Sequence, residues 1–582
     1  MPNHHTTPLN PAESASLAPL VSAIRAINKQ ADPFGIISSQ LNAQLALLLH
    51  PQKFMRVVDD LSTDMVALYD HNMRRVLGMP ASEVFDQSPE DARFADPVWT
   101  ESAFWDICKE WYLLLSNRLQ KISLETPGLS GHARRQAAFW QRNWLNAMSP
   151  TNFFCLNPQA MARCMETKGE SLRAGLKNFE RDLAAKNIQM VEPDAFAVGK
   201  DLATTPGKVI FRNRLVELIH YAPTTKQVRA MPILIVTPWI NKFYILDLTA
   251  QKSMVKHLTD QGFSVFISSW KNPTADMRDV RFDDYLQEGI HALVSATTEF
   301  CKVPQLHLVG YCIGGTLAAT YMAWANKRFD ADNMPVAHWT LLTSLTDFSH
   351  PGEIEVFIDE ASISALEDMM AKKGYLDGSE MASSFRLLRS NSLIWHYWVQ
   401  SYLLGEKLKP FDVLFWNTDT TRMPQAMHSY YLREMYLHNN MVKRDKLTIA
   451  GESIDLNRIT QPLYAVTAEE DHIAPWQQCY LIRRDVNAAT PVRFVRSTSG
   501  HILGIVNPPV NPPKRAYWVA EPEGNDDAER WLKLAQKKPG SWWPDWTDWL
   551  HARTGDMVPA YATTSRTFPA LADAPGTYVL EK

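Results

Sequence analysis

The sequence predicts an α/β protein in which a mostly helical domain precedes a mainly parallel sheet. Three observations support this prediction. Apolar residues recur at helical spacing through the first 195 residues, with little alternation of period two. From residue 196 onward, short strand-type runs alternate with helical segments, as is typical of parallel sheets with right-handed crossovers. One such run, residues 306–309, leads through a glycine-containing turn directly into an Ala-rich helix.

Length and composition exclude several classes of protein. A chain of 582 residues is too long for one ordinary core, so we expect two domains or one large domain with insertions. The apolar fraction of 46% is typical of a globular protein, and a net charge of −4 gives no electrostatic basis for nucleic-acid binding. We find neither a secretory signal nor a transmembrane run, and the six cysteines are scattered without C-x-x-C spacing. We therefore expect a cytoplasmic protein with reduced thiols and no metal site.

The N-terminal domain, residues 1–195, is expected to be mostly helical, and residues 1–40 are expected to be flexible. Its clearest helix begins at Pro51. Seven apolar residues form one stripe at helical period: Phe54, Val57, Val58, Leu61, Met65, Leu68 and Tyr69. We interpret this stripe as a face packed into a core or against another domain. The alternative is a docking face for a partner or for an apolar surface.

Residues 196–582 are expected to form the second domain. Its strand-type runs occupy residues 209–212, 215–219, 232–237, 263–268, 306–309, 338–343, 463–467 and, as the last of them, 492–495. Helical patterns lie between these runs, including residues 253–261 and 282–298. The interval between the strands at 338–343 and 463–467 is far longer than one crossover needs. We expect its central part, about residues 350–450, to be a cap over the catalytic edge of the sheet. A structural subdomain without a gating role is the alternative.

The turn after residues 306–309 carries the candidate nucleophile. Gly310, Cys312 and Gly314 form a Gly-x-Cys-x-Gly turn between a strand and a helix, which is the context of a nucleophile elbow. Such a turn needs glycines because its backbone is strained and the helix packs close to the strand. The turn places the sulfur at a helix N-terminus, whose partial positive charge favours a thiolate. A buried structural cysteine is the alternative, which the flanking glycines disfavour.

A cysteine nucleophile requires a base, and the base requires an orienting group. The elbow indicates the α/β-hydrolase arrangement, in which the acid and then the histidine follow the nucleophile on loops after late strands. Asp471 follows the strand at 463–467, and His501 follows the strand at 492–495. The sequence therefore predicts Asp471 as the acid and His501 as the base.

Neighbouring residues compete for these two roles. His472 adjoins Asp471, but its loop comes one strand too early for the base, so we expect it to have a structural role. Glu469 and Glu470 share the loop of the candidate acid. Asp347, after the strand at 338–343, is a further alternative acid.

An oxyanion hole is expected from two backbone N–H groups. One belongs to Ile313, directly after the nucleophile. The other lies in the loop after residues 232–237, near Trp239 or Ile240, and we assign it to Ile240.

With these residues in place, the chain resembles the polyhydroxyalkanoate synthases, the cysteine branch of the α/β-hydrolases. The resemblance extends from about residue 93 to the C-terminus and is most similar to class I, the poly(3-hydroxybutyrate) polymerase type. It rests on ordered stretches at residues 240–248 (INKFYILDL), 269–273 (SWKNP), 310–315 (GYCIGG), 415–422 (FWNTDTTR), 471–476 (DHIAPW), 499–501 (SGH) and 575–579 (PGTYV).

The resemblance implies a cytoplasmic, granule-associated homodimer that polymerises (R)-3-hydroxyacyl-CoA into polyester and releases CoA. Cys312 would be acylated, and His501, oriented by Asp471, would activate a 3-hydroxyl group to attack the acyl-cysteine. No metal or organic cofactor, no nucleic acid and no transmembrane segment is expected. Two alternatives remain: a thioesterase or polyester depolymerase with the same triad, and a non-catalytic granule-surface protein.

Overall fold

The computed structural model describes residues 32–85, 91–522 and 527–582. The chain divides into two compact units. The first runs to residue 190 and also includes 359–365 and 383–409; the second comprises 191–358, 366–382 and 410–582. The region expected to form the cap is thus divided between the units. Of the N-terminal segment expected to be flexible, residues 1–31 lie outside the described residues, and a helix begins at Ser38.

The first unit is mostly helical, as the sequence predicts. Among its described helices, counted from Ser38, Pro51 opens the second, where the missing N–H costs nothing. Ser130 caps the fifth by accepting a hydrogen bond from the Ala133 N–H at 3.1 Å. Its N-terminal α-helices are Ser38–Leu48, Pro51–Val76, Val98–Glu101, Ala103–Glu125, Gly131–Ala147, Pro158–Glu166 and Glu170–Ala185. Two π-helical segments, Asn391–Trp395 and Trp398–Leu403, belong to the same unit. A small buried cluster contains Phe94, Trp99, Tyr112 and Leu113.

The apolar stripe of the second helix is largely exposed. Leu68 is only 1% exposed, but Met65 is 39% and Tyr69 67% exposed. The interpretation of the stripe as a core-packed face is therefore wrong for most of its length. The helix instead buries Leu68 and His71, and the His71 side chain hydrogen-bonds to Asp106 of a neighbouring helix at 2.8 Å.

The second unit is built on an 11-stranded sheet. In chain order its strands are β1 (Gly207–Arg212), β2 (Val216–Tyr221), β3 (Ile233–Val236), β4 (Val265–Trp270), β5 (Leu306–Tyr311), β6 (Val336–Leu342), β7 (Leu463–Ala468), β8 (Val492–Ser497), β9 (Ala516–Ala520), β10 (Gln536–Pro539) and β11 (Ala572–Asp573). Their order across the sheet is β10-β9-β8-β7-β6-β5-β3-β4-β2-β1-β11. The strands from β8 to β4 in this order are parallel, and the flanking strands pair antiparallel. The predicted α/β fold with a mainly parallel central sheet is confirmed.

Helices cover this sheet, and β3, β4, β5 and β7 are buried along their whole length, as expected for strands covered on both faces. The α-helices after residue 190 are Met254–Asp260, Phe282–Asp284, Ala292–Cys301, Ile313–Arg328, Glu360–Lys373, Gly378–Leu388, Asp412–Thr418, Gln425–Tyr430, Trp476–Tyr480, Ile482–Asp485, Ala528–Leu534 and Trp543–His551. Short strand pairs join Gln227–Arg229 to Met557–Pro559, Tyr375–Leu376 to Met423–Pro424, and Thr448–Ile449 to Glu452–Ser453.

Within the described ranges, no helix has both the length and the apolar character needed to cross a bilayer.

The prediction that the run at 492–495 is the last strand is wrong, because β9, β10 and β11 follow it in the same sheet. The strand β10 lies at the sheet edge and contains Lys537, Lys538 and Pro539. Such residues are typical of edge strands and provide no apolar pattern to recognise in a sequence.

The prediction of one continuous helix over residues 282–298 is also wrong. A π-helical segment, Tyr285–His291, interrupts it, because Gly289 adopts non-helical angles of φ −86° and ψ −106°. A Cβ atom on Gly289 would lie 2.8 Å from the indole ring of Trp270. The close contact with this side chain explains both the glycine and the break in the helix.

Candidate active site

The turn between β5 and the helix Ile313–Arg328 holds Cys312 in a strained backbone conformation. Its φ of 53° and ψ of −125° lie where residues with a side chain are rarely found. The backbone nevertheless remains paired. The Cys312 N–H donates to the Leu342 carbonyl at 2.9 Å, and the Cys312 carbonyl accepts from the Gly315 N–H at 2.9 Å. This fixed turn presents the half-buried Cys312 side chain at the carboxyl edge of the sheet.

Glycines in this turn allow a close approach that no larger residue permits. A Cβ atom on Gly310 would lie 2.5 Å from the Cα atom of Gly315, so the helix contacts β5 backbone to backbone. A Cβ atom on Gly314 would lie 2.4 Å from the carbonyl oxygen of Val236, the last residue of β3. The start of the helix therefore packs directly onto the end of β3, and the loop after β3 adjoins the nucleophile turn.

The structure brings Asp471 and His501 together at the ends of the adjacent strands β7 and β8. The His501 Nδ1–H donates to Asp471 Oδ2 at 2.6 Å. The other carboxylate oxygen accepts from the backbone N–H groups of Ile473, at 2.9 Å, and Ala474, at 2.8 Å. Both Asp471 and His501 are 6% exposed. The carboxylate is thus fixed by its own loop and holds the imidazole in one orientation.

The surroundings of His501 favour its protonated form. Burial opposes a charged imidazole, but the negative charges of Asp471 and Cys312, with hydrogen bonds to both, raise the pKa of His501 well above its ordinary value. The ring of Tyr311 stacks near the imidazole, with centroids 6.0 Å apart. A histidine that hydrogen-bonds to a carboxylate and lies in the field of a cysteine side chain has the arrangement needed to take and return a proton.

Two of the three alternative acids, Glu469 and Asp347, have other side-chain partners. Glu469 pairs with Arg496 at 3.0 Å. Asp347 accepts hydrogen bonds from the side chains of Asn439 and Gln478, each at 2.9 Å, and pairs with Arg484. Among the described residues, neither carboxylate hydrogen-bonds to the candidate base. Asp471, by contrast, hydrogen-bonds to His501 directly.

The loops that carry the acid and the base are joined by backbone hydrogen bonds. The Glu470 N–H donates to the Ser499 carbonyl at 3.0 Å, and the Glu469 N–H donates to the Ser497 carbonyl at 2.8 Å. Although His472 is the sequence neighbour of Asp471, the described hydrogen bonds of that carboxylate go to His501 and to backbone N–H groups. The pairing of Asp471 is therefore set by the sheet and not by adjacency in sequence.

The expected oxyanion donors lie beside the nucleophile turn. Ile313 is the first residue of its helix, so its N–H has no intrahelical acceptor. In the loop after β3, the N–H groups of Trp239 and Ile240 donate to no acceptor within the part of the chain described, whereas the Asn241 N–H donates to the Thr421 hydroxyl at 2.9 Å. The assignment to Ile240 therefore stays a prediction.

A pair of tyrosines near Cys312 was not singled out by the sequence. Tyr431 and Tyr436 are close to each other, with ring centroids 5.3 Å apart. Phe348 packs against Tyr436 with centroids 4.8 Å apart. Burial raises the pKa of both phenols, and the Cys312 charge adds to this shift. The aromatic richness of the expected cap region was the available signal, but it does not identify these two residues.

One described group in the helical unit has the composition of a metal site. His71, Asp106 and Glu110 are buried, and their ligand atoms lie within 4.8 Å of one another. Two cations already occupy this cluster: Lys109 Nζ lies 3.3 Å from Asp106 and 3.6 Å from Glu110, and Arg75 pairs with Asp106 at 2.7 Å. An ammonium inside the cluster neutralises the carboxylates and repels a metal cation, so this group is better explained as a buried ionic network.

Comparisons with known proteins give two matching family models. Residues 90–258 match the family described as Poly-beta-hydroxybutyrate polymerase (PhaC) N-terminus, and residues 239–508 match the alpha/beta hydrolase fold. The second match includes the nucleophile turn and both loops of the acid and base. The predicted α/β-hydrolase arrangement is therefore confirmed.

Several curated proteins are similar over most of the chain. The Poly(3-hydroxyalkanoate) polymerase of Methylorubrum extorquens is 39% identical over 539 residues, which are 92% of this chain and 88% of that protein. The Poly(3-hydroxyalkanoate) polymerase subunit PhaC of Rhizobium etli is 38% identical over 91% of this chain and 84% of its own. The protein of the same name from Cupriavidus necator is 38% identical over 84% of this chain and 83% of its own.

The electrostatics of His501 give a testable prediction. Asp471 stabilises the imidazolium, so replacing Asp471 with Asn should lower the pKa of His501. The measurement is an NMR titration of the His501 ring, comparing the Cys312→Ala variant with Cys312→Ala/Asp471→Asn so that the thiol does not contribute. An Asp347→Asn substitution in the same background is the control and should leave the His501 titration in place. An unchanged His501 pKa in the Asp471→Asn protein would contradict this pairing.

Proposed function

Because the chain belongs to the poly(3-hydroxyalkanoate) polymerase family, we propose that it polymerises (R)-3-hydroxyacyl-CoA into polyester and releases CoA through an acyl-cysteine intermediate. The observation that supports this mechanism most strongly is the hydrogen-bonded pair of His501 and Asp471 beside Cys312 on its strained turn. No step requires a metal or an organic cofactor, since the CoA thioester is itself the activated substrate.

The first half of the reaction transfers the acyl group to the enzyme. His501 takes the proton of the Cys312 thiol, and the sulfur attacks the thioester carbonyl carbon. The resulting oxyanion accepts hydrogen bonds from the Ile313 N–H and from the loop after β3, at Ile240. The carbon–sulfur bond to CoA then breaks, and His501 returns the proton to the CoA thiolate. A thioester is exchanged for a thioester, so this step is close to isoenergetic, which favours cysteine over serine.

The second half forms the ester bond. His501, oriented by Asp471, removes the proton from a 3-hydroxyl group as its oxygen attacks the acyl-Cys312 carbonyl carbon. The bond to the Cys312 sulfur breaks, and the sulfur recovers the proton from His501. One ester bond forms, the thiol is regenerated, and the chain has grown by one unit.

Water must be kept from the acyl-enzyme, because hydrolysis would end the chain. Several features favour this exclusion: the burial of His501, the aromatic contacts of Tyr431 and Tyr436, and the position of Phe348 against them. Removing water also strengthens the electrostatic interactions that stabilise the oxyanion. This environment suits transfer to a hydroxyl group rather than to water.

We also propose that the enzyme works as a homodimer at the surface of its polyester product. The exposed apolar residues of the helical unit support contact with such an apolar product, among them Val66, Tyr69, Val76, Met165 and Leu183. Polar side chains at these positions would cost less to leave exposed to water. Met65 and Tyr69, which are exposed residues of the stripe on the second helix, would take part in the same contact.

The proposed reaction is tested by following CoA release from (R)-3-hydroxybutyryl-CoA and identifying the acyl product. The wild type should release CoA and form polymer, whereas Cys312→Ala should remain folded and lose at least ~10³-fold in rate, because no other group takes the role of the nucleophile. The matched control is Cys155→Ala, an exposed cysteine outside the site. Free 3-hydroxybutyrate as the main product would indicate a thioesterase, and CoA release by Cys312→Ala would exclude this nucleophile.

A comparison of His501 with His472, the sequence neighbour of Asp471, tests the assignment of the base. His501→Gln should slow acylation by ~10³-fold, in the range expected for loss of a general base. His472→Gln should change the acylation rate far less, because His501 is the residue bonded to Asp471. Rapid-quench measurement of enzyme-bound acyl groups gives both rates. A larger loss in His472→Gln than in His501→Gln would show that the base is misassigned.

A further inference from the structure

A segment near the end of the chain is anchored across the carboxyl edge of the sheet. We call residues 577–581 the C-terminal strap. The buried carboxylate of Glu217 accepts the N–H groups of Thr577 and Tyr578, each at 3.1 Å. The Glu581 carboxylate pairs with Lys271 Nζ, just after β4, at 2.9 Å. The strap is thus held at both of its ends by residues of the sheet and its loops.

Lys242 reaches this strap from the loop after β3. Its side chain is 4% exposed, and its ammonium donates to the carbonyl oxygens of Val579, at 2.7 Å, and Glu581, at 2.8 Å. Its third partner is the Asp419 carboxylate at 3.0 Å. An ammonium has three N–H donors and no acceptor, so all of its hydrogen-bonding capacity is used here. Asp419 supplies the opposite charge that a buried ammonium requires.

The residues just before Lys242 are the ones expected to complete the oxyanion hole. Ile240 lies two positions upstream, and Asn241 between them adopts a left-handed φ of 64°. The Thr421 hydroxyl accepts from the Asn241 N–H at 2.9 Å and donates to the Trp239 carbonyl at 2.7 Å. The loop is therefore fixed by one hydroxyl at its middle and by the ammonium of Lys242 at its end.

We propose that Lys242 is a positioning residue for the reaction, which holds the Ile240 N–H in place by tying its loop to the C-terminal strap. This inference rests on the proposed function, because it needs an oxyanion to form at Cys312. A donor must lie within hydrogen-bond distance of the developing oxyanion, and losing one such donor typically slows an enzyme by ~10²–10³-fold. Small displacements of this loop would therefore slow acyl transfer. The strap, although far along the chain, thereby contributes to acyl transfer.

Two reactions of Cys312 separate this role from a general structural one. Acyl transfer from a CoA thioester passes through an oxyanion, whereas alkylation by iodoacetamide displaces iodide and forms none. In the full-length chain, Lys242→Met keeps the aliphatic stem and removes the ammonium. We expect kcat for CoA release from (R)-3-hydroxybutyryl-CoA to fall at least ~10-fold with KM within ~2-fold, while Cys312 alkylation proceeds at the wild-type rate.

A second variant leaves the oxyanion loop intact. Glu581→Ala removes the strap's ion pair with Lys271 and should reduce kcat to a smaller extent, again without slowing alkylation. The exposed Lys514 provides the control, since Lys514→Met should change neither reaction.

The outcomes are distinguishable. Unchanged kcat in Lys242→Met, or an equal loss of CoA release and alkylation in both variants, overturns the inference. Absence of CoA release by the wild type would instead contradict the proposed function.

Discussion

The close packing of backbone at the nucleophile turn is the constraint on which the candidate site depends. The helix Ile313–Arg328 begins directly after β5 because Gly310 and Gly315 meet without side chains. That approach leaves Cys312 no ordinary backbone conformation and so projects its sulfur from the sheet edge. The same packing places the start of the helix on the end of β3, so the Ile313 N–H and the loop that contains Trp239 and Ile240 become neighbours. The acid and base then need only to reach this point from β7 and β8.

Much of the fold could be predicted because its signals are local. The buried parallel strands are apolar runs, and the glycine pattern around Cys312 reports a backbone contact directly. The predictions failed where tertiary contacts decide the structure. The π-helical segment at Tyr285–His291 depends on the position of Trp270, and β10 is a polar edge strand paired with β9. The exposure of the apolar stripe on the second helix could not be predicted from the sequence either, because an amphipathic pattern does not indicate what covers the apolar face.

The sequence also allowed some residues of the candidate site to be predicted, but not all of them. Chain order alone placed Asp471 and His501 after consecutive parallel strands, and the register of these strands brings the two loops together. Tyr431 and Tyr436 could not be identified, because they come from a long insertion whose path over the sheet has no local signature. The role of Lys242 was hidden for a related reason: its partners, Val579 and Glu581, lie more than three hundred residues away in sequence.

In the proposed reaction, Cys312 carries the acyl group during turnover. The direct measurement is mass spectrometry of the enzyme after brief reaction with (R)-3-hydroxybutyryl-CoA, acid quenching and proteolysis. We expect a 3-hydroxybutyryl or oligomeric adduct on the peptide that contains Cys312, formed as CoA is released. An adduct on Cys301 or Cys479, or release of CoA into polymer with no covalent acyl-enzyme at any time, would contradict it.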